Sequence, residues 1–495
     1  MALLRSCALC LLLFAFPSLQ AAYLAPGDPQ LRNDIQLLVD HGVINVPVGT
    51  WPLPANSLGG LRNASLEQQP GYVRRARTRV LQRLNSWQAE GVRSGIRARL
   101  AEQPQQLRSF IDTPRESGEL TADVWSQEGW GGYRLAVTGA LDPEDDRPLR
   151  LDGSFVALRL GNWIVGVGAQ ERWWGPGWQG SLILGNNHRP VPALSIQRER
   201  PLASTLPVLR WLGPWQLTTF LGQLESGRSV SEPFLFGMRF SFKPRPDLEI
   251  GLARTAQWGG EGRSESLESF GRMVIGESNF GDTDEDVPGG NANQLAGVDV
   301  RWASPLGELP YALYGQLIGE DEAGGLPYRF IGLAGVEFWG RIGGRITQDR
   351  VNVYDFRVNL EVADTTAEFH KSTPNYNVAY EHSGYIDGYR YRGRSMGHAM
   401  DGDGRMLSLG LQVYTPSGGD WQLLLRHTEQ NRDDVQLRPG LSPEPKDITG
   451  VDLIYGFEGM GGQVIVSGGG DRVKDRLTDD VDIQGRAWIQ FSRGF

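Results

Sequence analysis

The chain has 495 residues, a net charge of −9, 65 glycines and 15 tryptophans. An acidic chain of this kind offers nothing to a nucleic-acid backbone, so that partner class is set aside. Both cysteines, Cys7 and Cys10, lie near the start. Everything after them is without disulfides or thiolate metal sites, so stability must come from another source.

Taken in chain order, the first segment reads as a secretory signal peptide over residues 1–22. Arg5 is the only charge before Asp28, an apolar run spans Ala8 to Phe16, and the small pair Ala21-Ala22 follows. The run is shorter than the roughly 20 apolar residues a membrane anchor helix needs.

Residues 23–91 are expected to form a small helical domain on the periplasmic side. Asp28 is a good N-cap, Pro29 suits the first helical position, and Leu31, Ile35, Leu38 and Val39 recur at helical spacing up to Gly42. Pro47, Pro52 and Pro54 make residues 46–60 an irregular connector. A second helix is expected over 71–90, with Val73, Ala76, Val80, Leu84 and Trp87 on one face and Arg74, Arg75, Arg79 and Arg83 around it. That basic stripe suits either pairing with a barrel rim or contact with an acidic partner.

From about Val92 the period changes to two. Phe236, Met238, Phe240 and Phe242 alternate with Gly237, Arg239, Ser241 and Lys243; Phe356, Val358, Leu360 and Val362 alternate with Arg357, Asn359, Glu361 and Ala363. Leu407–Val413 and Val451–Phe457 repeat the pattern. The polar face mixes Gly, Ser and Asn with buried-type charges, which suits a polar lumen with lipid outside. Lipid also forces closure, because an open sheet edge would leave backbone groups unpaired. The fold class is therefore an all-β transmembrane antiparallel barrel over 92–495, with about 18 strands, preceded by the helical domain. The final stretch Ile489–Phe495 alternates and ends in Phe, as in terminal strands recognised by the outer-membrane barrel assembly machinery. An outer-membrane location follows, with outer-membrane lipid and lipopolysaccharide as neighbours.

Two long connections, 259–295 and 370–406, are expected to be surface loops or to fold into the lumen. The acidic run Asp282, Asp284, Glu285, Asp286 begins like a calcium loop. It fails at Val287 and Asn293, where Gly and Glu are needed. No metal or cofactor is expected.

Two strings carry candidate chemistry. Glu171–Trp178 and the following Ser181–Pro190 hold Trp173, Trp174, Trp178, Asn187 and Arg189. Indoles stack on sugar rings, while amides and guanidinium take hydroxyls or acidic groups. The same composition also suits an inward-folded loop that braces the barrel. Tyr389, Arg390, Tyr391, Arg392 and Arg394 form the second string. In an extended segment the three arginines would share one side and meet an anionic polymer. Alternatively, they pair with inward carboxylates.

These strings, with Leu31–Ile44, Thr50–Pro54 and Phe110–Glu116, resemble the Wzi family of outer-membrane capsule-assembly proteins. The resemblance implies a surface lectin that holds capsular or extracellular polysaccharide, built as a large barrel with a helical bundle at its periplasmic mouth. A porin or polysaccharide export channel of the same architecture is the alternative. None of the six histidines sits in a nucleophile motif, so no enzyme is expected. Oligomeric state stays open.

Overall fold

The structure is a computed structural model. It describes residues 23–495 except 88–90, 129, 276–291, 305–308, 324–325, 344–345, 348–349, 352, 416–417 and 435–443. The signal segment and the acidic run at 282–286 lie outside the described residues.

Helix α1 (Pro29–Asp40) starts as its sequence dictates: Asp28 Oδ1 accepts from Leu31 N at 2.9 Å, and Pro29 occupies the first turn. It ends where Gly42 takes φ +68°, a conformation open to glycine. Helix α2 (Gly71–Trp87) lies against it, burying Val73, Ala76, Val80 and Leu84. Its arginines pair with the rim and with α1: Arg75 with Asp355, Arg79 with Asp34 and Arg83 with Asp28.

Beyond Arg93 the chain becomes a closed antiparallel barrel. Leu149–Arg150 and Phe155–Leu160 both pair with Gly131–Leu141 and form one interrupted strand, so the barrel has 18 strands. Val481–Gly494 closes the ring against Arg93–Ala101, with Trp488 opposite Ala101 and Gly494 opposite Gly95. The alternation read from sequence sets the two faces. In the strand Arg405–Tyr414, Leu407 and Leu409 are exposed on the outside, while Ser408 and Gln412 are buried within. Leu120, Leu135, Leu158, Leu194, Leu252, Leu313 and Leu360 extend the aliphatic outer band. Among the described residues, no helix is long and apolar enough to cross a membrane.

One mouth has short turns, such as Met460-Gly461 at φ 56° and 75° between paired Gly459 and Gly462. The other carries the long connections 102–117, 169–192 and 365–404. A barrel of this size would leave an aqueous channel unless something filled it. It is filled from both ends. α1 and α2 sit in the short-turn mouth and fill one side of it, and their core (Ile35, Leu38, Val73, Val80) runs on into Trp51, Phe110, Trp173 and the wall residues Ala303, Ala312 and Trp339. Residues 24–84 therefore share one continuous core with the barrel.

Candidate functional site: a braced plug and an external crevice

The connection 169–192 turns inward and descends far enough to meet the N-terminal segment. Trp173 and Trp174 pair antiparallel with Trp51 and Thr50. Arg32 of α1 donates to the carbonyls of Gly177 at 2.8 Å and Pro176 at 2.6 Å. Its guanidinium also lies 4.5 Å from the Phe110 ring centroid and 4.2 Å from that of Trp178. Phe110 in turn meets Trp51 and Trp173 edge-on, each at 5.4 Å. The strings around Trp51, Phe110 and Trp173–Trp178 thus converge in one aromatic knot at the centre of the lumen.

Glu361, on the inner wall, fixes the tip of this loop. Its carboxylate accepts from the backbone N–H groups of Trp178 (2.7 Å), Gln179 (3.1 Å) and Gly180 (2.9 Å), and from the Tyr314 hydroxyl (2.8 Å). Successive N–H groups converging on one anion form a nest, here with the protein supplying its own anion. Gly180 is required, since a Cβ there would sit 2.0 Å from His398 Nε2. Gln316 accepts from Leu182 N at 2.8 Å and donates to Trp174 O at 3.0 Å.

Connection 365–404 packs over the plug from above. Tyr380 and Tyr389 donate their hydroxyls to Leu182 O and Ile183 O at 2.7 and 2.9 Å. From the connection 102–117, Arg108 and Arg115 donate to the carbonyls of Asn186 and Asn187.

This placement corrects much of the expected glycan surface. Trp173, Trp174 and Trp178 are 1 to 2 % exposed, so no indole face is open to a sugar ring. Asn187, Tyr389, Arg390 and Tyr391 are also enclosed, with Arg390 held by Glu381 and Asp401 at 2.6 Å each. The expected one-sided arginine ladder does not form. Arg390-Tyr391 pairs with Arg394-Ser395 as a tight hairpin, and Arg392 (φ 51°) and Gly393 (φ 74°) make its turn. Of the candidates, Arg189, Arg392, Arg394 and Tyr391 come together, lining a shallow crevice at the long-loop end with Arg115, Glu116, Glu144 and Asp145. Arg189 grips Asp152 at 2.8 and 2.9 Å, and Arg394 holds the exposed Glu144 at 2.6 Å. Glu144, Asp145 and Arg115 were not singled out from sequence, because they belong to separate connections. Arg32 and Phe110 were equally silent as plug residues.

Asp403 gives this end a pH response. Burial pushes its carboxyl up to about 7, with Asp433, Glu381 and Asp401 adding repulsion against the 2.6 Å hydrogen bond from Asn377 N. Between the ordinary carboxylate value and about 7 the folded form holds a proton the unfolded form has lost. Stability of this loop therefore falls as pH rises through that window. Protease nicking within 365–404 is expected to increase from about pH 5 to about pH 8. Asp403→Asn is expected to flatten that profile.

An 18-stranded barrel with a lipid-facing aliphatic band and a lumen blocked by its own loops defines the class: a plugged outer-membrane β-barrel. Residues 87–479 match the family described as capsule assembly protein Wzi. A protein of Klebsiella pneumoniae, described as an uncharacterized 55.8 kDa protein in the cps region, is 32 % identical over 441 residues. That match covers 88 % of this chain and 82 % of the relative. The solved structure of Wzi from Escherichia coli, an outer-membrane protein involved in group 1 capsule assembly and described as a carbohydrate-binding β-barrel, superposes with a TM-score of 0.80 at 28 % identity. It covers 96 % of this chain and 100 % of its own. The chain belongs to the Wzi family of capsule-assembly proteins and is an outer-membrane protein.

Proposed function

We propose that this protein binds capsular polysaccharide at the cell surface and anchors it there without catalysis. The observation that carries this reading is the filled lumen in a member of a capsule-assembly family. A barrel braced from both mouths suits a holder of polymer better than a pore. It weighs against the porin or export-channel alternative.

The binding residues on this reading are Arg189, Arg392 and Arg394, with the buried Tyr391 supporting Arg392 from beneath. Carboxylates of an acidic glycan would compete with the exposed Glu144 for Arg394. Each contact would be weak, and retention would come from many barrels meeting one polymer. Ser395 and His398, which lie close in sequence, are both buried beneath the external loops, which supports a non-catalytic role. Residues 23–91 are assigned to the periplasmic mouth, released from a leader at 1–22. The terminal strand ending in Phe495 is assigned to recognition by the barrel assembly machinery, with lipopolysaccharide around the outer rim.

The test is a chromosomal Arg392→Ala/Arg394→Ala variant. Total polymer is expected to be unchanged while the cell-associated share falls by more than half, measured as uronic acid in pellet and supernatant. Loss of total polymer, or unchanged retention, would refute the assignment.

A further inference from the structure

A second cavity opens at the opposite, short-turn mouth. It holds about 650 Å³, within the range of small-ligand sites. It lies between the start of α1, the end of α2 and the inner wall formed by Arg93–Ala101, Gly118–Glu128 and the last four strands. Above, it shares Ala25, Pro26, Arg97 and Asp112 with a narrower cavity of about 130 Å³ that reaches Arg150 and Asp152. There the Arg150–Glu116 and Arg189–Asp152 ion pairs close it off. Among the described residues the space is thus a dead end, shaped to hold a ligand rather than to pass one.

Three indoles line it: Trp87, Trp125 and Trp488. Trp87 and Trp125 lie 5.7 Å apart with their planes tilted by 39°. Two polar atoms in the lining are buried without a protein partner, Trp125 Nε1 as a donor and Gln422 Oε1 as an acceptor. Gln422 is 6 % exposed. Buried polar groups are ordinarily satisfied, so this pair marks where a ligand's hydroxyls would complete the bonding.

Charge completes the description. Arg97, Arg99 and Arg108 all converge on Asp112, and Arg99 also reaches Glu119 at 3.3 Å. Three guanidiniums facing two carboxylates leave positive charge on that wall. Arg134 lies nearby on Asp123 at 2.9 Å, and Arg493 stands at the mouth over the Phe495 ring. Aspartates 28 and 420 and Glu458 line the other sides. Indoles for ring faces, an unpaired donor and acceptor for hydroxyls, and a guanidinium cluster for an acidic group together select one ligand chemistry.

We infer that this vestibule is a second saccharide site, on the membrane side opposite the crevice, and that it takes a short sugar bearing a carboxylate. In that compartment the sugar could derive from the capsular polymer, as a uronate, or from the cell wall, as a muramyl unit.

The test uses the full chain in detergent, with the external crevice disabled by Arg392→Ala/Arg394→Ala. Titration calorimetry would compare trigalacturonate, a muramyl disaccharide and neutral maltotriose. Saturable binding of one or both acidic sugars is expected, at least tenfold tighter than maltotriose. The stronger of the two identifies the source. Trp87→Ala and, separately, Arg493→Gln are expected to weaken it at least tenfold, with heat-modifiable gel migration unchanged to report an intact barrel. Binding untouched by both variants, maltotriose binding as tightly as the acids, or no acidic sugar bound at all would overturn the site. Because Trp87 and Arg493 lie outside the crevice, weakened binding in those two variants reports on the vestibule whether or not the crevice holds capsule.

Discussion

Glu361→Ala is expected to turn a silent barrel into a conducting one. Glu361 is the single acceptor for three consecutive plug N–H groups and for Tyr314. Its removal leaves four donors inside the lumen with no partner, each costing about 1–3 kcal/mol when unsatisfied. Water would enter to satisfy some of them, which is the start of a leak. The remaining holds on the loop, through Gln316, Arg32, Tyr380 and Tyr389, keep it from leaving altogether. The expected result in planar bilayers is therefore small, flickering conductance where the unaltered protein gives none, together with a lower temperature for the heat-modifiable gel shift. Glu361→Gln keeps one carbonyl acceptor in place and is expected to fall between the two. A silent Glu361→Ala barrel with an unchanged transition would mean that the plug is held by apolar packing, and that the carboxylate nest is incidental.

The barrel itself was plain in the sequence because its signal is local. Phe356, Val358, Leu360 and Val362 face lipid, and Arg357, Asn359 and Glu361 face in; a period of two records that directly. Asp28 and Gly42 bound α1 for equally local reasons of capping and φ. The plug was legible only as one of two alternatives. Trp173, Trp174 and Trp178 have the same composition whether they stack on sugar or on Phe110 and Phe220. What decides between these is Arg32 and Glu361, which lie 144 and 183 residues from the atoms they bind. Pairings at that separation leave no periodic trace. The buried-type charge of Glu361 within an alternating strand was the available sign that something polar met it inside. The arginine string failed for a nearer reason. A two-residue turn at Arg392-Gly393 folds it back on itself, so alternation along the chain stopped meaning a shared side.

Arg301→Met is expected to loosen the helical cap from the barrel. Arg301 donates to both oxygens of Asp40, at 2.6 and 2.8 Å, and to Glu337 at 3.1 Å, all within the buried junction between the end of α1 and the inner wall. Arg357 ties the same Glu337 to Asn33 of α1, to which it donates at 2.7 Å. Removing Arg301 leaves Asp40 enclosed without its counter-charge and Glu337 with half of its own, a loss of about 3–5 kcal/mol for a buried pair broken on one side. The rim pair Arg75–Asp355 is the contrast: the Arg75 side chain is 41 % exposed against 6 % for Asp355, so its loss lets water reach the carboxylate and Arg75→Ala is expected to cost about 1–3 kcal/mol, less than Arg301→Met. The readout is limited proteolysis of the connector 63–70 in reconstituted barrels, with cleavage accelerated most in Arg301→Met and less in Arg75→Ala. The double variant Arg301→Met/Asp40→Met removes both charges and refills the volume, so it is expected to recover most of the loss. If the double variant cleaves as fast as the single one, what holds the cap is the geometry of the guanidinium fork and not the avoidance of a buried, unpaired carboxylate.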